Sequence, residues 1–520
     1  MPLPIGGKDY RWPPDDTANT YGKYEEHSAW YGGDVQKLAS VYVGMGAPGS
    51  KPQGMVNVVR SWFWGKQAIA PAPRIRIHVP VAADVSSVSS DLLFSDAPQF
   101  MVKDEEANEK VQDRLDEIVE QESFVRSLFE AGEVASALGG VYLRMTWDDD
   151  VAPDRPLLTI QHPDTAVPDF RFGRLVGVTF WHIVHEGDGL TYRHLERVEP
   201  GVVYHGLYRG TKDKLGDRVS LATLPETADY ADLVDENSAI PTEITRMTAV
   251  YVPNMLPNRL NRGSSLGRSD YSGVEGLMDA VDESATSWMR DMRLGRGRII
   301  VPAEFLKTMP IGTNGSGRGQ GGWFDVDQEV FTPLEGMNPA TESSITISQF
   351  AIRTKEHQDT IMAFIERIVA TAGYSASTFG LMGDVQAQTA TEIESRERRS
   401  FITRNKKTEY WAPALRDILM AALEFDQVKF NGPGVAPLVV KFGEPVREDM
   451  AKRATAIELI ARAGAASIAR LVKMSDDSLT DEQVKAEVEA IQKEKGMLMP
   501  DPTAAPPFGG PPKPPAPGAN

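Results

Sequence analysis

Cysteine is absent from all 520 residues, which excludes disulfide bonds and thiolate metal ligands. No apolar run reaches about 18 residues, so we predict no membrane-spanning helix. Residues 1–16 lack the apolar core of a signal peptide, and we expect no secretory leader. The phosphate-loop pattern G-x-x-x-x-G-K-[ST] is missing too, since Arg60 replaces its first glycine and Gln67 follows Lys66. These absences favour a protein that is not an enzyme and holds no cofactor.

Basic residues are also in short supply. Lys and Arg together number 55 against 73 Asp and Glu, and the formal net charge is −18. A protein that grips nucleic acid by its phosphates is normally basic, so tight and unspecific wrapping of DNA is not expected. A duplex that slides past without sticking remains compatible with this charge. The length predicts several domains, and the 41% apolar share is enough to build their cores.

The periodicity of apolar residues predicts a mixture of helices and strands. Residues 140–253 alternate apolar and polar side chains between turn signals, which indicates one antiparallel meander, with an exposed acidic loop at 225–237. Further strands are predicted at 74–81, 298–302 and 438–442. The predicted helices cover 24–43 with a break at Gly32–Gly33, 105–137, 269–294 with Ser269 or Asp270 as cap, 344–371 with Gly373 at its end, 389–425, and at least two segments within 447–495.

Two features at 374–425 belong together. The segment 374–389 is a polar loop rich in Ser, Thr, Gly and Gln, with Asp384 as its one charged residue. A capping box at Thr389–Glu392 then opens a helix on the order of 50 Å long, which Pro413 should kink. A mobile loop is thus predicted directly before the N-terminus of a long helix.

Candidate binding residues are few. His182 and His185 are three apart in a strand and should point to opposite faces; a zinc site would need His194 or His205 from a neighbouring strand, and structural or surface roles are favoured. The pattern G-x-G-x-x-G at 317–322 lacks a surrounding βαβ unit, so a surface loop is favoured over a dinucleotide site. A locally basic cluster has two interpretations, solvation with helix-end charge or contact with DNA phosphates or an acidic partner. It consists of Arg293, Arg296, Arg298 and Arg318.

The order of these parts resembles that of the portal proteins of tailed double-stranded-DNA bacteriophages, in particular the type of long-tailed phages of Gram-positive hosts. The resemblance covers roughly 25–495 and is carried by three segments of the sequence: "DYSGVEGLMDAVDESATSWMRDMRLGRGRIIVP", "FAIRTKEHQDTIMAFIERIVATAGYS" and "TATEIESRERRSFITRNKKTEYWAPALRDIL". It implies an α+β, multidomain portal fold with a mixed α/β wing, an α-helical stem, a small β-rich clip insertion, a long kinked helix and an α-helical crown.

The resemblance also implies boundaries for these parts. They are the N-terminal region and wing (1–268), a stem helix (269–294), the clip (295–345), a second stem helix (346–373), the tunnel loop (374–389), the long kinked helix and wing return (390–444) and the crown (445–496). The tail at 497–520 and about the first 20 residues lie outside the resemblance, and the proline content of the tail predicts that it is disordered.

The implied function is a ring, usually of twelve copies, at one capsid vertex, made in the bacterial cytoplasm. Its expected partners are further copies of the chain, double-stranded DNA in the channel, the terminase large subunit, the head-tail adaptor, and the major capsid and scaffold proteins, with no membrane. Another virion or connector subunit, or a DNA-packaging enzyme, is the alternative.

The resemblance places two sets of candidate residues. The arginine cluster would face clip partners, and the tunnel loop would line the DNA channel with Ser375, Ser377, Thr378, Phe379, Met382, Asp384, Gln386 and Gln388. Phe379, Leu381 and Met382 either touch neighbouring loops and the duplex or pack within their own subunit. Without Lys or Arg, such a loop would not pin the phosphates.

Overall fold

The computed structural model describes residues 3–45, 76–103, 108–119, 122–294, 298–300, 346–348, 352–381, 390–443, 450–475 and 481–494. The chain divides into two compact units, residues 1–443 and 444–520. Helices and strands are interspersed in the first unit, and the described part of the second is helical. The predicted α+β class is therefore confirmed.

Nine described helices lie in the first unit. They are α1 (Ala18–Gly32), α2 (Val35–Met45), α3 (Val81–Phe94), α4 (Glu109–Val119), α5 (Glu122–Leu138), α6 (Pro225–Leu233), α7 (Glu275–Leu294), α8 (Thr354–Ala372) and α9 (Ala390–Lys429). The break between α1 and α2 is confirmed, because Gly33 ends α1 with a left-handed φ of 63°. The described part of the segment 105–137 is helical, as predicted, in α4 and α5, and its predicted stripe is buried, as at Leu115 and Leu128.

The sequence analysis gave no prediction for α3. Its buried face includes Ser86, Ser89 and Ser90, and these polar residues interrupt the apolar stripe by which an amphipathic helix is recognised.

The described strands form four sheets. They are β1 (Gly6–Arg11), β2 (Gln99–Val102), β3 (Gly140–Thr146), β4 (Leu157–Gln161), β5 (Ala166–Arg171), β6 (Arg174–Gly187), β7 (Leu190–Glu199), β8 (Val202–Thr211), β9 (Lys214–Val219), β10 (Ala239–Pro241), β11 (Ala249–Pro253), β12 (Arg298–Ile300), β13 (Thr346–Ser348) and β14 (Leu438–Lys441). The large sheet has the order β1-β9-β8-β7-β6-β5 with β10 paired to β8, and all pairs are antiparallel.

The predicted meander is correct for β5 to β9 and wrong for its two ends. β3, β4 and β11 form a separate three-stranded sheet in the order β11-β3-β4. Alternate residues of β3 enter two different cores: Leu143 joins the main helical core, whereas Tyr142 contacts Phe180 of the large sheet, with ring centroids 5.4 Å apart. Strand β3 is therefore buried on both faces, with the helical core on one side and the large sheet on the other. Such burial requires β3 to lie in a separate sheet between these two layers.

Two local predictions are also wrong. The acidic segment expected to be a loop forms α6, which starts with Pro225 in its first turn and is held by the Thr227 hydroxyl donating to Leu221 O at 2.5 Å. The segment predicted as a strand at 74–81 has no ladder over its described residues. Instead, the Ile77 and Val79 amides donate to side chains of α7, to Thr286 Oγ1 at 3.0 Å and Asp282 Oδ1 at 2.8 Å.

The two smallest sheets and the start of α8 can be compared with further predictions. Strand β12 pairs with β13, so part of the segment predicted as the start of a helix at 344 is a strand, and α8 begins at Thr354. Strand β14, which was predicted, pairs with β2. The run "SITIS" has isoleucines two residues apart, which is the period of a strand, so the helix was predicted to begin too early.

Helix α9 is the centre of the main core. Its 40 residues correspond to roughly 60 Å, and Pro413 lies inside it. Trp411, Leu415 and Ile418 are fully buried, and the Trp411 ring meets Phe94 of α3 edge-on at 4.9 Å. The capping box at Thr389–Glu392 lies outside the described side chains.

The second unit contains α10 (Met450–Arg462), α11 (Ile468–Ser475) and α12 (Asp481–Glu494), one helix more than the predicted minimum of two. Val472 and Val484 are its buried apolar residues among those described. Across both units, no described helix is both long and apolar enough to cross a membrane.

Candidate functional site

The start of the predicted tunnel loop is fixed where α8 ends. Gly373 terminates α8 with a left-handed φ of 104°, as predicted, and its carbonyl accepts a hydrogen bond from the Thr403 hydroxyl of α9 at 2.6 Å. A Cβ at position 373 would lie 2.8 Å from that hydroxyl oxygen. The chain therefore leaves α8 at a defined point on the side of α9.

One buried serine of α9 then organises the next turn. Ser400 Oγ accepts from the Ser375 amide at 2.9 Å and lies 2.7 Å from the Thr378 hydroxyl. Residues Ala376–Phe379 form a short 3₁₀ helix that Gly380 ends at φ 65°. The first part of the predicted loop is thus an ordered turn bonded to the long helix.

Two of the apolar loop residues pack against the core of their own chain. Phe379 and Leu381 are half-buried against the main core, and the Phe379 ring meets Tyr374 at 6.1 Å. The Ser377 hydroxyl is also buried and has no partner among the described residues. The other predicted loop residues lie outside the described residues: Met382, Asp384, Gln386 and Gln388.

A buried ion pair holds the base of this turn. Lys407 Nζ of α9 contacts Asp270 Oδ2, which also accepts from the hydroxyls of Tyr374 at 2.8 Å and Ser136 at 2.7 Å. The amide of Asn254 donates to Asp270 Oδ1 at 2.9 Å. One carboxylate therefore joins the end of α5, the loop after β11, the entry to α7, the residue after α8, and α9.

Burial acts against both charges of this pair, and it lowers the pKa of Lys407 despite the neighbouring Asp270 charge. Burial alone would raise the pKa of Asp270, but the Lys407 charge and the hydrogen bonds from Lys407, Ser136 and Asn254 outweigh it and hold the pKa below its ordinary value. Since both side chains are about 1% exposed, neither can regain water while the fold is intact. The pair thus makes the position of Tyr374, at the base of the loop, depend on α9.

This cluster was not predicted. Ser269 or Asp270 was expected to cap a helix that starts at 269, which is wrong, because α7 begins at Glu275 and the Asp270 carboxylate binds Lys407. A signal was present: Ser400, Lys407 and Trp411 repeat at helical spacing on the face of α9 that continues into its apolar core. Polar residues in such a stripe indicate a buried network.

The two predicted stem helices also bind each other. Asp291 of α7 accepts from His357 Nε2 and from Arg353, each at 2.9 Å, beside α8. The His357 ring stacks parallel to Trp288 at 6.2 Å. Of the predicted arginine cluster, Arg293 lies in the last turn of α7 and Arg298 in β12, whereas Arg296 and Arg318 lie outside the described residues.

The histidines of the large sheet come together more closely than predicted. A bulge between Ile183 and His185 puts His185 opposite Tyr192, so it shares a face with His182, contrary to the expected opposite faces. His194 Nε2 lies 3.2 Å from His205 Nδ1 in the buried layer beneath Tyr230. Burial and neighbouring charges lower the pKa of His194 to about 3. No metal-binding group of three suitable side chains occurs in the described part of the chain.

One catalytic pattern does occur in the sequence. Gly263–Gly267 spells G-x-S-x-G, which in hydrolases forms a strand-to-helix elbow. Here it lies in the long connection between β11 and α7, without a helix directly after it, and Ser265 bonds to no described histidine. The described geometry at Ser265 is therefore not that of a hydrolase elbow.

Comparison with protein families distinguishes between the interpretations of the sequence, which were a portal protein, another virion subunit or a packaging enzyme. The model of the family "Phage portal protein, SPP1 Gp6-like" matches residues 14–501. The chain belongs to this phage portal protein family. Portal proteins are structural components of the virion, so this chain is a virion protein of a bacteriophage or phage-like particle. The host type implied by the sequence resemblance stays a prediction.

Solved structures similar to this portal protein come from gene transfer agent (GTA) particles. The neck of the empty GTA particle with C6 symmetry is 14% identical, with a TM-score of 0.42 over 82% of this chain and 95% of that one. The neck of the native particle with C12 symmetry is 13% identical, with a TM-score of 0.40 over 82% and 94%. A chain of the native GTA virion is 13% identical, with 0.37 over 84% and 97%. Among curated proteins, no significant match was found.

Proposed function

We propose that this chain assembles into a ring, of twelve subunits, at one capsid vertex, where it conducts double-stranded DNA during packaging and ejection. The observation that carries this proposal is the family match over 14–501. Head-to-tail contacts around a closing rotation give a ring with a central hole. The terminase large subunit, the head-tail adaptor and the capsid and scaffold proteins would bind its outer surfaces.

The loop geometry supports a channel role for 374–389. A loop that guides a moving duplex needs a firm base and a tip that does not hold phosphates. Ser400, Thr403 and Lys407 fix the base to α9, and the loop sequence has Asp384 as its one charged residue. With a chain charge of −18 and a Debye length of about 10 Å, the ring would repel the duplex at close range.

The proposed portal ring also gives roles to the other parts of the chain. Helices α7 and α8, joined through Asp291, would be the stem, and residues 295–345 the clip. The crown was predicted from residue 445, next to the boundary at 443 between the two compact units, which supports that assignment.

Electron microscopy of the purified chain tests the proposal. We expect closed rings with a hole wide enough for a duplex. A stable monomer would contradict the ring, and a hexagonal lattice or a narrow tube would favour another virion subunit. An ATPase assay addresses the enzyme alternative, with no activity above background expected.

A further inference from the structure

Two hairpins of the large sheet have the same turn geometry and very different sequences. The β6–β7 hairpin turns through Asp188 and Gly189, at φ 52° and 75°. The β5–β6 hairpin turns through Phe172 and Gly173, at φ 51° and 77°. Both are two-residue loops with positive φ at both central positions, the pattern of a type I′ turn.

Only one of these turns has the residues that its backbone favours. Asp-Gly is a preferred pair in a type I′ turn because a short polar side chain tolerates the left-handed region. A bulky aromatic residue at positive φ is an outlier, since its Cβ crowds the following carbonyl. Phe172 therefore strains the backbone of its own turn. The β6–β7 hairpin has the same turn with Asp188 at this position, which avoids the strain.

Nothing in the described part of the chain compensates Phe172. Its side chain is 105% exposed, the highest value among the described large apolar residues, and it belongs to none of the three apolar clusters. A single exposed apolar residue is ordinary on a protein surface. An aromatic ring that is fully exposed and also strains its own backbone is not, because neither local structure nor burial favours it.

The flanking residues give the tip a charge. Arg171 and Arg174 pair across the turn, both are exposed, and neither forms an ion pair with a described residue. The tip thus presents an aromatic ring between two cations, on a chain whose net charge is −18. Its complement is an acidic surface with an apolar socket. A second copy of this acidic chain supplies a surface of the opposite sign.

We propose that the Phe172 hairpin inserts as an anchor into an acidic, apolar socket on a neighbouring copy of the chain. A knob on one surface and a socket on another make a head-to-tail contact, the kind that closes rings. Aromatic and arginine side chains are also the residues that carry most of the binding free energy at protein interfaces. The inference rests on the proposed ring and adds to it a residue-level contact.

The test uses a substitution that should help the fold and harm the assembly. Phe172→Asn puts a favoured residue into the turn, so the dissociated chain should melt at the same temperature or higher. We expect the concentration for half-assembly into rings to rise about tenfold. Leu260→Asn is the matched control, because Leu260 is 64% exposed in a connection outside the large sheet, and should assemble like the original chain.

The outcomes separate this inference from the proposed function. If the original chain forms no ring, the proposed function fails. If it forms rings and Phe172→Asn forms them equally well, the anchor alone fails. A lower melting temperature of the dissociated Phe172→Asn chain would also contradict the argument, because it would show that Phe172 stabilises its own subunit.

Photo-crosslinking identifies the partner directly. With benzoylphenylalanine at position 172 and purified rings, we expect covalent dimers of the chain on denaturing gels. Crosslinks confined to one chain, or formed with a capsid protein in assembled particles and absent from purified rings, would overturn the proposal. A charge-reversed Arg171→Glu chain should assemble less well, and raising the salt concentration should reduce this defect.

Discussion

Lys407 and Asp270 form an ion pair that is buried at the meeting point of five segments, 137 positions apart in the sequence. Because Asp270 also binds Tyr374, the pair fixes the residue from which the candidate tunnel loop departs. Removing one charge leaves the other buried without a partner, which is the costly case for buried ion pairs.

We therefore predict that Asp270→Asn destabilises the chain by about 3–5 kcal/mol, and that Lys407→Met does so similarly. The double variant should lose much less than the sum, because it leaves no buried charge. Urea unfolding of the four proteins in a double-mutant cycle measures this coupling. Asp417→Asn is the control, since Asp417 pairs with Arg416 at a half-exposed position and should change stability by less than about 1 kcal/mol. Additive losses at positions 270 and 407 would show that the two residues act independently.

A second prediction concerns the glycine that ends α8. Gly373→Ala puts a side chain at φ 104° and within 2.8 Å of Thr403 Oγ1, and we expect a loss of about 1 kcal/mol or more. Gly276→Ala, in α7 with open space around the added Cβ, should instead stabilise by about 0.5–1 kcal/mol. Thermal unfolding of both variants gives the comparison. Equal effects would mean that the Gly373 backbone is not constrained as described.

Structural features set by neighbouring residues could be predicted from the sequence, whereas features set by contacts between distant residues could not. The ends of α1 and α8 were predicted because a glycine at positive φ is a local signal. The separate sheet of β3, β4 and β11 was not, because alternation shows that a strand is buried and not which layer covers it. Helix α3 was missed since its buried serines bond across space, as Ser89 does to Lys407.

The same difference applies to the candidate site, where the loop and the helix were predicted and the residues that join them were not. Composition identified a polar loop before a long helix, and α9 confirms the helix. The residues that anchor the loop were not identifiable one by one, because Ser400 and Lys407 are ordinary helix residues until the fold places them beside Ser375 and Asp270.

Acid sensitivity of the large sheet provides a third prediction. Burial first, and then the neighbouring His205, His182 and Arg144, lower the pKa of His194 from 6.5 to about 3. Between these values the unfolded chain takes up a proton that the folded chain does not, so stability falls as the pH drops through this window. A single such group contributes up to about 1.4 kcal/mol per pH unit.

Replacing that histidine should flatten the profile. We expect His194→Gln to show a smaller fall in melting temperature between pH 6.5 and 4 than the original chain, whatever its stability at neutral pH. His185→Gln, at an exposed position of the same sheet, should leave the slope unchanged. Parallel profiles for His194→Gln and the original chain would remove His194 as a source of acid sensitivity.

The last prediction concerns charge in the loop. If 374–389 borders the channel, Ser377→Lys brings a cation towards the passing phosphates, which it can hold by displacing their counterions. We expect rings to assemble and DNA translocation to slow, most strongly at low salt. Because the Ser377 hydroxyl is buried in the subunit, a longer side chain must also leave its present position. Ser377→Met is therefore the control, with similar length and no charge. Packaging measured with both variants separates the two effects: a defect of Ser377→Lys that Ser377→Met shares equally, or that salt does not relieve, would place this loop away from the DNA.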